Sequence, residues 1–412
     1  MTATRITNVS IFDGTGVAAF PGEVLIENEF IKSVARGGER IAAPGAEMID
    51  GGGGTLMPGL IEPHAHLTFT CSVDRIVPTF MPPVEEHVFV TAHNAKTILD
   101  HGYTSAFSGG ATRPQIEVRL RDEIARGFVP GPRLKASSFE RAVDGARQGY
   151  RQGVAEVEKF CAEMIALGVD SMKFILSGAK SVIPQHFDEM AYSESEIAAA
   201  SRIAKEKGIN LLGHTYNSAS IQLAIQHGFR ALFHCNFADE KTLDLMEKHK
   251  SEFFVVPAVG IIEAGVKNHA EMGEHAIERQ PEAQLGLKQI DEGQLKVVPA
   301  MRKRSIRVLP GGDYGFAHNP HGRNAWEMEL FVHKFGFTAA ETLAAATSDG
   351  AALMGMADTL GQVKPGYIAD LLIVAGDPLK DIRILQDKTK LTHILQSGRF
   401  YKRPEASRAA AE

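Results

Sequence analysis

The middle of the chain alternates short apolar runs with stretches of helical composition. Residues 194–208, for example, are rich in Ala, Glu and Lys and precede the run from Ile209 to His214. This alternation is typical of βα units, in which helices connect parallel strands. Counting such runs predicts an α/β fold with an eight-stranded (β/α)8 TIM barrel. The runs end at or near His66, Ser108, Ser137, Lys173, His214, His234, Pro257 and Asp313.

Residues that commonly bind metals stand at the ends of several of these runs. His64 and His66 follow a buried-type apolar stretch, and alternate strand residues point to one face, so the two imidazoles converge. Convergent neutral imidazoles can chelate a divalent ion such as zinc. Barrels of this kind build their active sites at the C-terminal ends of the strands. Four further residues stand at that edge, namely Lys173, His214, His234 and Asp313.

Each of these residues also has an ordinary structural interpretation. Lys173 at a strand end could extend into solvent, and Asp313 after two glycines could be a turn residue. His214 and His234 could be hydrogen-bonded core residues. The combination favours a metal site, because ligand-type side chains occur at five different strand ends.

Longer motifs around these residues resemble those of the amidohydrolase superfamily. The resemblance is to the branch of imidazolonepropionase-like enzymes and metal-dependent Xaa-Pro or aryl-amide peptidases, and it covers nearly the whole chain. The motifs are residues 58–66, 129–134, 172–175, 214–216, 312–313, 320–324 and 360–374. In this family a small β-sandwich domain formed by both chain ends accompanies the barrel.

This resemblance implies a domain division that fits the strand-like composition of both ends. Residues 1–56 and 356–403 would form the β-sandwich, and residues 57–355 would form the barrel. Residues 404–412 form a polar, alanine-rich tail that we expect to be disordered.

The resemblance also implies a binuclear metal centre, with zinc as the expected metal. By analogy with the family, the ligands are His64, His66 and Asp313 for the first ion and His214 and His234 for the second. Lys173 would bridge the two ions as a carbamate formed with carbon dioxide, since an ammonium group has no lone pair to donate. Asp313 would also act as the catalytic base and later as the acid.

The implied reaction is hydrolysis of a C–N bond in an amide, peptide or carbamate-like substrate by a metal-activated hydroxide. Tyr216 is a candidate for contacting the substrate carbonyl, since it lies two residues beyond His214 and shares its face of the strand. His321 lies in the loop after Asp313 and is a second candidate for substrate binding. An aromatic wall and a solvated loop are the alternative interpretations.

The segment after the third strand departs from the family pattern. Many dipeptide-cleaving relatives have a Gly-Gly-His type motif there, whereas this chain has residues 135–144 without it. Arg141 could replace the missing contact by binding a carboxylate, although it could equally be a surface residue. The substrate is therefore expected to be either a dipeptide or a non-dipeptide amide.

Two rival functions are compatible with the same scaffold. A mononuclear aminohydrolase (deaminase) usually has a glutamate soon after the strand-five histidine and lacks the bridging lysine, but here Thr215 to Ala219 contains no glutamate and Lys173 is present. A non-catalytic scaffold would be expected to have lost ligands, and all six positions are filled. Counting bound metal would separate these functions.

Composition excludes several classes of partner. The net charge of −6 provides no basic stripe for nucleic acid, and no apolar run is long enough for a membrane span. The N-terminus has no signal-peptide core, and the three cysteines form no spaced framework, so we expect a cytoplasmic protein with free thiols. The apolar segment 69–84 suggests either a lid over an aromatic or hydrophobic small-molecule substrate or a subunit contact, and we expect a homo-oligomer.

Overall fold

The computed structural model describes residues 3–72, 82–142, 152–178, 184–267 and 279–404. The chain divides into two units. The first comprises Met1–Glu62, Thr97–Ser105 and Asn324–Glu412, and the second comprises Pro63–Lys96 and Ala106–Arg323. Residues 73–81, the centre of the suggested lid, and residues 405–412 of the tail lie outside the described ranges.

The secondary structure alternates strands and helices through the middle of the chain. The strands are β1 (Ala3–Ile11), β2 (Phe20–Glu27), β3 (Phe30–Arg36), β4 (Glu47–Asp50), β5 (Thr55–Pro58), β6 (Leu60–Ala65), β7 (Tyr103–Ser108), β8 (Arg133–Lys135), β9 (Ser137–Arg141), β10 (Ser171–Ile175), β11 (Asn210–Asn217), β12 (Ala231–Phe237), β13 (Phe254–Val256), β14 (Leu371–Val374), β15 (Leu391–Gln396) and β16 (Arg399–Lys402). The helices are α1 (Val84–Asp100), α2 (Pro114–Ala125), α3 (Val154–Leu167), α4 (Glu194–Lys207), α5 (Ser218–Gln226), α6 (Glu240–Lys248), α7 (Val259–Lys267), α8 (Pro281–Lys303), α9 (Trp326–Phe335), α10 (Ala339–Ala344) and α11 (Gly350–Leu353).

The first unit contains an eight-stranded sheet built from both chain ends. Its order is β16-β15-β14-β5-β1-β2-β3, with β4 paired to β1. The N-terminal and C-terminal strands meet where β14 pairs antiparallel with β5. Alternating apolar residues such as Ile6, Val24 and Ile26 bury one face of this sheet together with Leu371 and Ile373. The predicted sheet formed by both ends is thereby confirmed.

The second unit contains the parallel strands of the predicted barrel. Strands β9 to β13 form one sheet, in which every pair is parallel, and β6, β7 and β8 form another. A parallel bridge from Val255 to Val308 adds the eighth predicted run. The third predicted run is split, since Ala136 separates β8 from β9. The strand–helix alternation confirms the α/β class.

Helix ends determine where the strands that carry the candidate ligands begin. The C-cap residues of α3 and α4 are Gly168 and Gly208. Both glycines have a left-handed backbone conformation, with φ of 89° and 66°. Glycine adopts this conformation without steric cost, so each helix stops shortly before β10 or β11. Ser193 and Glu196 form a capping box that begins α4. No helix in the described ranges is long and apolar enough to cross a membrane.

Glu117 of α2 is a fully buried carboxyl group in the wall of the second unit. Its Oε2 accepts a hydrogen bond from the Ser137 backbone N–H at 2.9 Å. Burial raises the pKa of Glu117 to about 7, and the hydrogen bonds from Ser137 and Ser108 oppose the shift only in part. The carboxyl therefore links α2 to the start of β9.

We predict that Glu117 makes folding stability depend on pH. Its pKa is higher in the folded protein than the ordinary glutamate value of 4.5, so its contribution to stability is fully present below about pH 4.5 and is lost as the pH rises through about 7. Relative to Glu117→Gln, the wild type should lose up to about 3 kcal/mol of unfolding free energy between pH 5 and pH 8. Urea unfolding of the metal-free proteins measures this difference.

The matched control is Glu123→Gln on the same helix, where Glu123 is an exposed ion-pair partner of Arg126. The unfolding free energy of Glu123→Gln should change between pH 5 and pH 8 by the same amount as that of the wild type. A constant difference in unfolding free energy between the wild type and Glu117→Gln would contradict the prediction.

Candidate metal centre

Three of the predicted ligands form one buried group at the end of β6. His64 and His66 are alternate residues at the end of β6, so both rings point to the same face, where Asp313 lies. The Nε2 atoms of His66 and His64 lie 3.1 and 4.0 Å from Asp313 Oδ1. One ligand atom from each of the three residues lies within 4.8 Å of the others, a spacing that suits a metal ion.

Two further histidines form a second group beside the first. His214 of β11 and His234 of β12 come from neighbouring parallel strands, and His214 Nδ1 lies 3.1 Å from His234 Nε2. The ring of His234 lies 5.8 Å from that of His64, measured between centroids. The two groups are therefore adjacent.

Lys173 of β10 is fully buried among these residues. Its Nζ lies 3.7 Å above the centroid of the Phe233 ring, and His64 packs on the same ring at 4.0 Å. Burial lowers the pKa of Lys173, and the negative charges of Glu140 and Asp313 offset the shift only in part. Lys173 therefore loses its proton and becomes a neutral amine at a lower pH than a lysine in water does.

Burial also controls the charge of the histidines. It lowers the pKa of His64, His214 and His234 well below the ordinary value, and the charge of Lys173 adds to the effect. His66 differs: burial lowers its pKa, but the hydrogen bond to Asp313 and the negative charges of Asp313 and Glu140 together outweigh burial and raise the pKa. Burial alone would raise the pKa of Asp313, but the His66 hydrogen bond and charge lower it. The centre thus combines three neutral imidazoles, those of His64, His214 and His234, with the ionised carboxylate of Asp313.

This donor set fits divalent metal ions. His66 Nδ1 donates a hydrogen bond to the Gly110 carbonyl at 2.8 Å, so Nε2 is the atom that would bind a metal ion in place of its proton. In a hydrogen bond between His214 and His234, one facing nitrogen carries a proton and only the other offers its lone pair. A cation bound by both nitrogens would accept both lone pairs. Buried polar atoms normally have hydrogen-bond partners, yet Lys173 Nζ, His214 Nε2 and His234 Nδ1 have none. Neutral imidazole and carboxylate are ligands that zinc prefers.

The backbone at the site adopts conformations that cost free energy. His234, Cys235 and Asp313 have φ of 75°, 55° and 56°, in the left-handed region that non-glycine residues rarely adopt. Each costs on the order of 1–3 kcal/mol, and such residues cluster at functional sites. Two of the three residues, His234 and Asp313, are candidate ligands. The strained backbone therefore occurs where it sets the direction of candidate ligand side chains.

Most of the chain matches a known family. The model of the amidohydrolase family matches residues 55–400. The chain belongs to the amidohydrolase family. A solved prolidase complexed with N-methylphosphonate-L-proline is 25% identical, covers 98% of this chain and 100% of its own, and superposes with a TM-score of 0.86. This similarity confirms the TIM barrel.

Two curated proteins are also similar to this amidohydrolase. An ochratoxinase from Aspergillus niger is 27% identical over 253 residues, which are 61% of this chain and 50% of the relative, so this chain spans about half the relative's length. A 5-methylthioadenosine/S-adenosylhomocysteine deaminase from Syntrophomonas wolfei is 25% identical over 90% of this chain and 84% of its own. The family is thus shown, while the substrate differs among the relatives.

Two of the predicted substrate residues lie near the candidate metal ligands. The Tyr216 ring lies 4.9 Å from His214 and 5.4 Å from His234, measured between centroids. Burial and the charge of Asp313 raise the pKa of Tyr216, so its hydroxyl stays protonated. His321 lies 3.1 Å from the His66 carbonyl through its Nε2. His321 therefore holds the loop after Asp313 against the end of β6.

The structure does not bring the Arg141 side chain to these ligands. Arg141 pairs with Phe174 across β9 and β10, and its guanidinium lies 5.2 Å from the Tyr192 ring and 5.7 Å from the Phe160 ring. These aromatic rings form the helix-facing side of the strands. We therefore exclude Arg141 from the proposed substrate contacts.

The residue next to it, Glu140, was missed by the sequence reasoning. Glu140 pairs with Lys173, and its Oε1 lies 3.6 Å from Lys173 Nζ. The only available signal was its position next to Arg141 at a strand end. An irregular register between β9 and β10 determines which of the two residues faces the site.

We predict that Gly109→Ala disrupts the metal centre. A Cβ atom at this position would lie 2.1 Å from His64 Cδ2, and the buried ring has little space to move. Zinc affinity should fall at least tenfold, and the protein should lose about 1–3 kcal/mol of unfolding free energy. Competition with a chelator and thermal unfolding measure the two effects.

Gly38→Ala is the control, because a Cβ at Gly38 meets no atom within 4 Å. This variant should retain the zinc affinity of the wild type. Unchanged zinc affinity in Gly109→Ala would show that His64 does not need its present position.

Proposed function

We propose that this amidohydrolase is a metal-dependent hydrolase that cleaves C–N bonds in amides, peptides or carbamate-like substrates at a centre of two divalent ions. The observation that carries this proposal is the buried group of His64, His66 and Asp313 beside the facing pair of His214 and His234. We infer that zinc is the resident metal, because the donors are mainly imidazoles.

Each ion has its own set of proposed ligands. The first would be held by His64, His66 and Asp313, and the second by His214 and His234. When bound, the ions supply Lewis-acid polarisation of the substrate carbonyl and lower the pKa of the attacking water. The neutral histidines favour this arrangement, because a protonated imidazole has no lone pair to donate.

Lys173 is the proposed bridge between the two ions. Its neutral amine would react with carbon dioxide to form a carbamate, with release of one proton. Burial supports this step by lowering the pKa of Lys173. The anionic carbamate would then replace an ammonium that would repel the ions.

Asp313 and Tyr216 are the proposed catalytic residues. The Asp313 carboxylate remains ionised and would take a proton from the attacking water, then deliver it to the leaving nitrogen. The protonated Tyr216 hydroxyl would donate a hydrogen bond to the substrate carbonyl oxygen as negative charge develops.

An apolar cluster beside the centre supports a hydrophobic or aromatic substrate. Tyr216 packs in it with Phe187, Ile262, Leu287 and Phe237. The similar proteins include an ochratoxinase and a prolidase complexed with a proline derivative. We therefore propose small amides or dipeptides with a hydrophobic group as the substrates.

A mononuclear aminohydrolase is the second candidate. The similarity to the deaminase from Syntrophomonas wolfei over 90% of this chain favours it. The buried Lys173 beside the histidines argues against it, since a single-ion site has no need of a bridge. Metal stoichiometry distinguishes the two functions, with about two ions per chain expected for the hydrolase and one for the aminohydrolase.

We predict that Lys173→Ala loses most bound metal and activity. Without the bridge the zinc content should fall from about two ions per chain to one or fewer, and hydrolysis of N-acyl amino acids, dipeptides or aryl amides should fall at least 100-fold. Elemental analysis after purification in bicarbonate-containing buffer measures the metal. Acetate should restore part of the activity, because it supplies a carboxylate to the space that the lysine leaves.

Lys205→Ala is the matched control, because Lys205 is an exposed residue of α4. It should behave like the wild type in both measurements. Full zinc content and turnover in Lys173→Ala would overturn the bridging role.

A further inference from the structure

Glu140 shares the interior face of the strands with Lys173. Ser171 of β10 pairs with Ser137 of β9, and a regular ladder would pair Lys173 with Phe139. The register shifts by one residue between these positions, so Lys173 pairs with Glu140 instead. The β-bulge therefore directs a carboxylate to the face that also carries the buried lysine.

The carboxylate reaches from the buried lysine towards the open side of the site. Its Oε1 lies 3.6 Å from Lys173 Nζ, while the Lys173 side chain is 0% exposed and the Glu140 side chain is 29% exposed. Solvent, and hence a substrate, can reach Glu140. Its negative charge also extends to His66, whose pKa it raises together with Asp313.

Gly110 provides the space in which Glu140 lies. Its φ is 136°, and a Cβ atom there would lie 2.4 Å from Glu140 Cγ. The carbonyl of the same residue accepts the hydrogen bond from His66 Nδ1 at 2.8 Å. One glycine thus supports a metal-binding histidine and the neighbouring carboxylate, which places Glu140 beside the metal-binding side chains.

Glu140 lies beside Lys173 and outside the group formed by His64, His66 and Asp313. Among the described residues, the group of ligand-type side chains within 4.8 Å of one another consists of His64, His66 and Asp313 and does not include Glu140. A carboxylate at the edge of a metal centre attracts a cationic part of the substrate.

We propose that Glu140 binds a protonated amino group on the carbon next to the scissile carbonyl, so that the substrates are aminoacyl amides such as dipeptides rather than N-acyl amides. This inference rests on the proposed hydrolase function. A carbamate on Lys173 would be anionic, so a substrate ammonium would supply the positive charge that the lysine otherwise provides beside Glu140. A partly exposed ion pair of this kind contributes up to about a fivefold difference in affinity.

The test compares two ligands of equal shape that differ in the amino group. Glycine hydroxamate carries an ammonium where propionohydroxamate carries a methyl group, and both can chelate zinc. Isothermal titration calorimetry with the zinc-loaded protein at pH 6.5, where an α-amino group is protonated, measures both dissociation constants without relying on turnover. We expect the wild type to bind glycine hydroxamate about three- to fivefold more tightly.

Three variants isolate the carboxylate. Glu140→Gln should keep the zinc content and bind both hydroxamates equally, because it retains the shape and loses the charge. Glu140→Asp retains the charge and should keep part of the preference. Glu206→Gln, which changes an exposed glutamate of α4, should bind like the wild type.

The other possible results would overturn either the inference alone or the proposed function as well. Equal binding of the two hydroxamates by the wild type would overturn the inference and leave the hydrolase function intact. Loss of zinc in Glu140→Gln would also overturn it, because Glu140 would then be a metal ligand. A wild type that holds no zinc, or that binds neither hydroxamate, would overturn the proposed function together with the inference.

Discussion

The structure around the site depends on the burial of one lysine. Lys173 lies without solvent contact among three histidines of lowered pKa and the ionised Asp313. A buried ammonium beside such groups is costly unless it is paired or becomes neutral. The same low-dielectric surroundings keep the imidazoles neutral and able to donate their lone pairs. Burial therefore favours the carbamylation that we propose for the lysine and the metal binding that we propose for the histidines.

The barrel makes this burial possible by gathering side chains from distant parts of the chain. Parallel strands end at one edge, so residues from β6, β10, β11 and β12 meet there although long helices separate them in sequence. The left-handed backbone at His234 and Asp313 stores strain at that edge. The packed strands and helices hold these residues in conformations that an isolated peptide would leave.

A single irregularity in one strand pair determines which side chain completes the surroundings of Lys173. Because side chains alternate along a strand, the bulge in β9 directs Glu140 to the site and Arg141 to the aromatic helix-facing side. This choice sets the sign of the charge beside Lys173. Arg141 would place a cation there, which attracts a ligand carboxylate, whereas Glu140 places an anion there, which attracts a ligand ammonium. Local strand geometry thus has a direct influence on the class of ligand that the site can attract.

The sequence by itself determined the α/β class, the order of the eight barrel runs and the kinds of residue at their ends, because hydrophobic periodicity and residue type are local properties. The HxH pair at residues 64–66 was recognisable for the same reason, since strand alternation alone makes its imidazoles converge. Only the tertiary structure decided that Glu140 rather than Arg141 faces Lys173 and that His214 faces His234 at 3.1 Å. Register shifts, left-handed residues and burial arise from the packing of strands against one another, and a strand's own residues do not encode them.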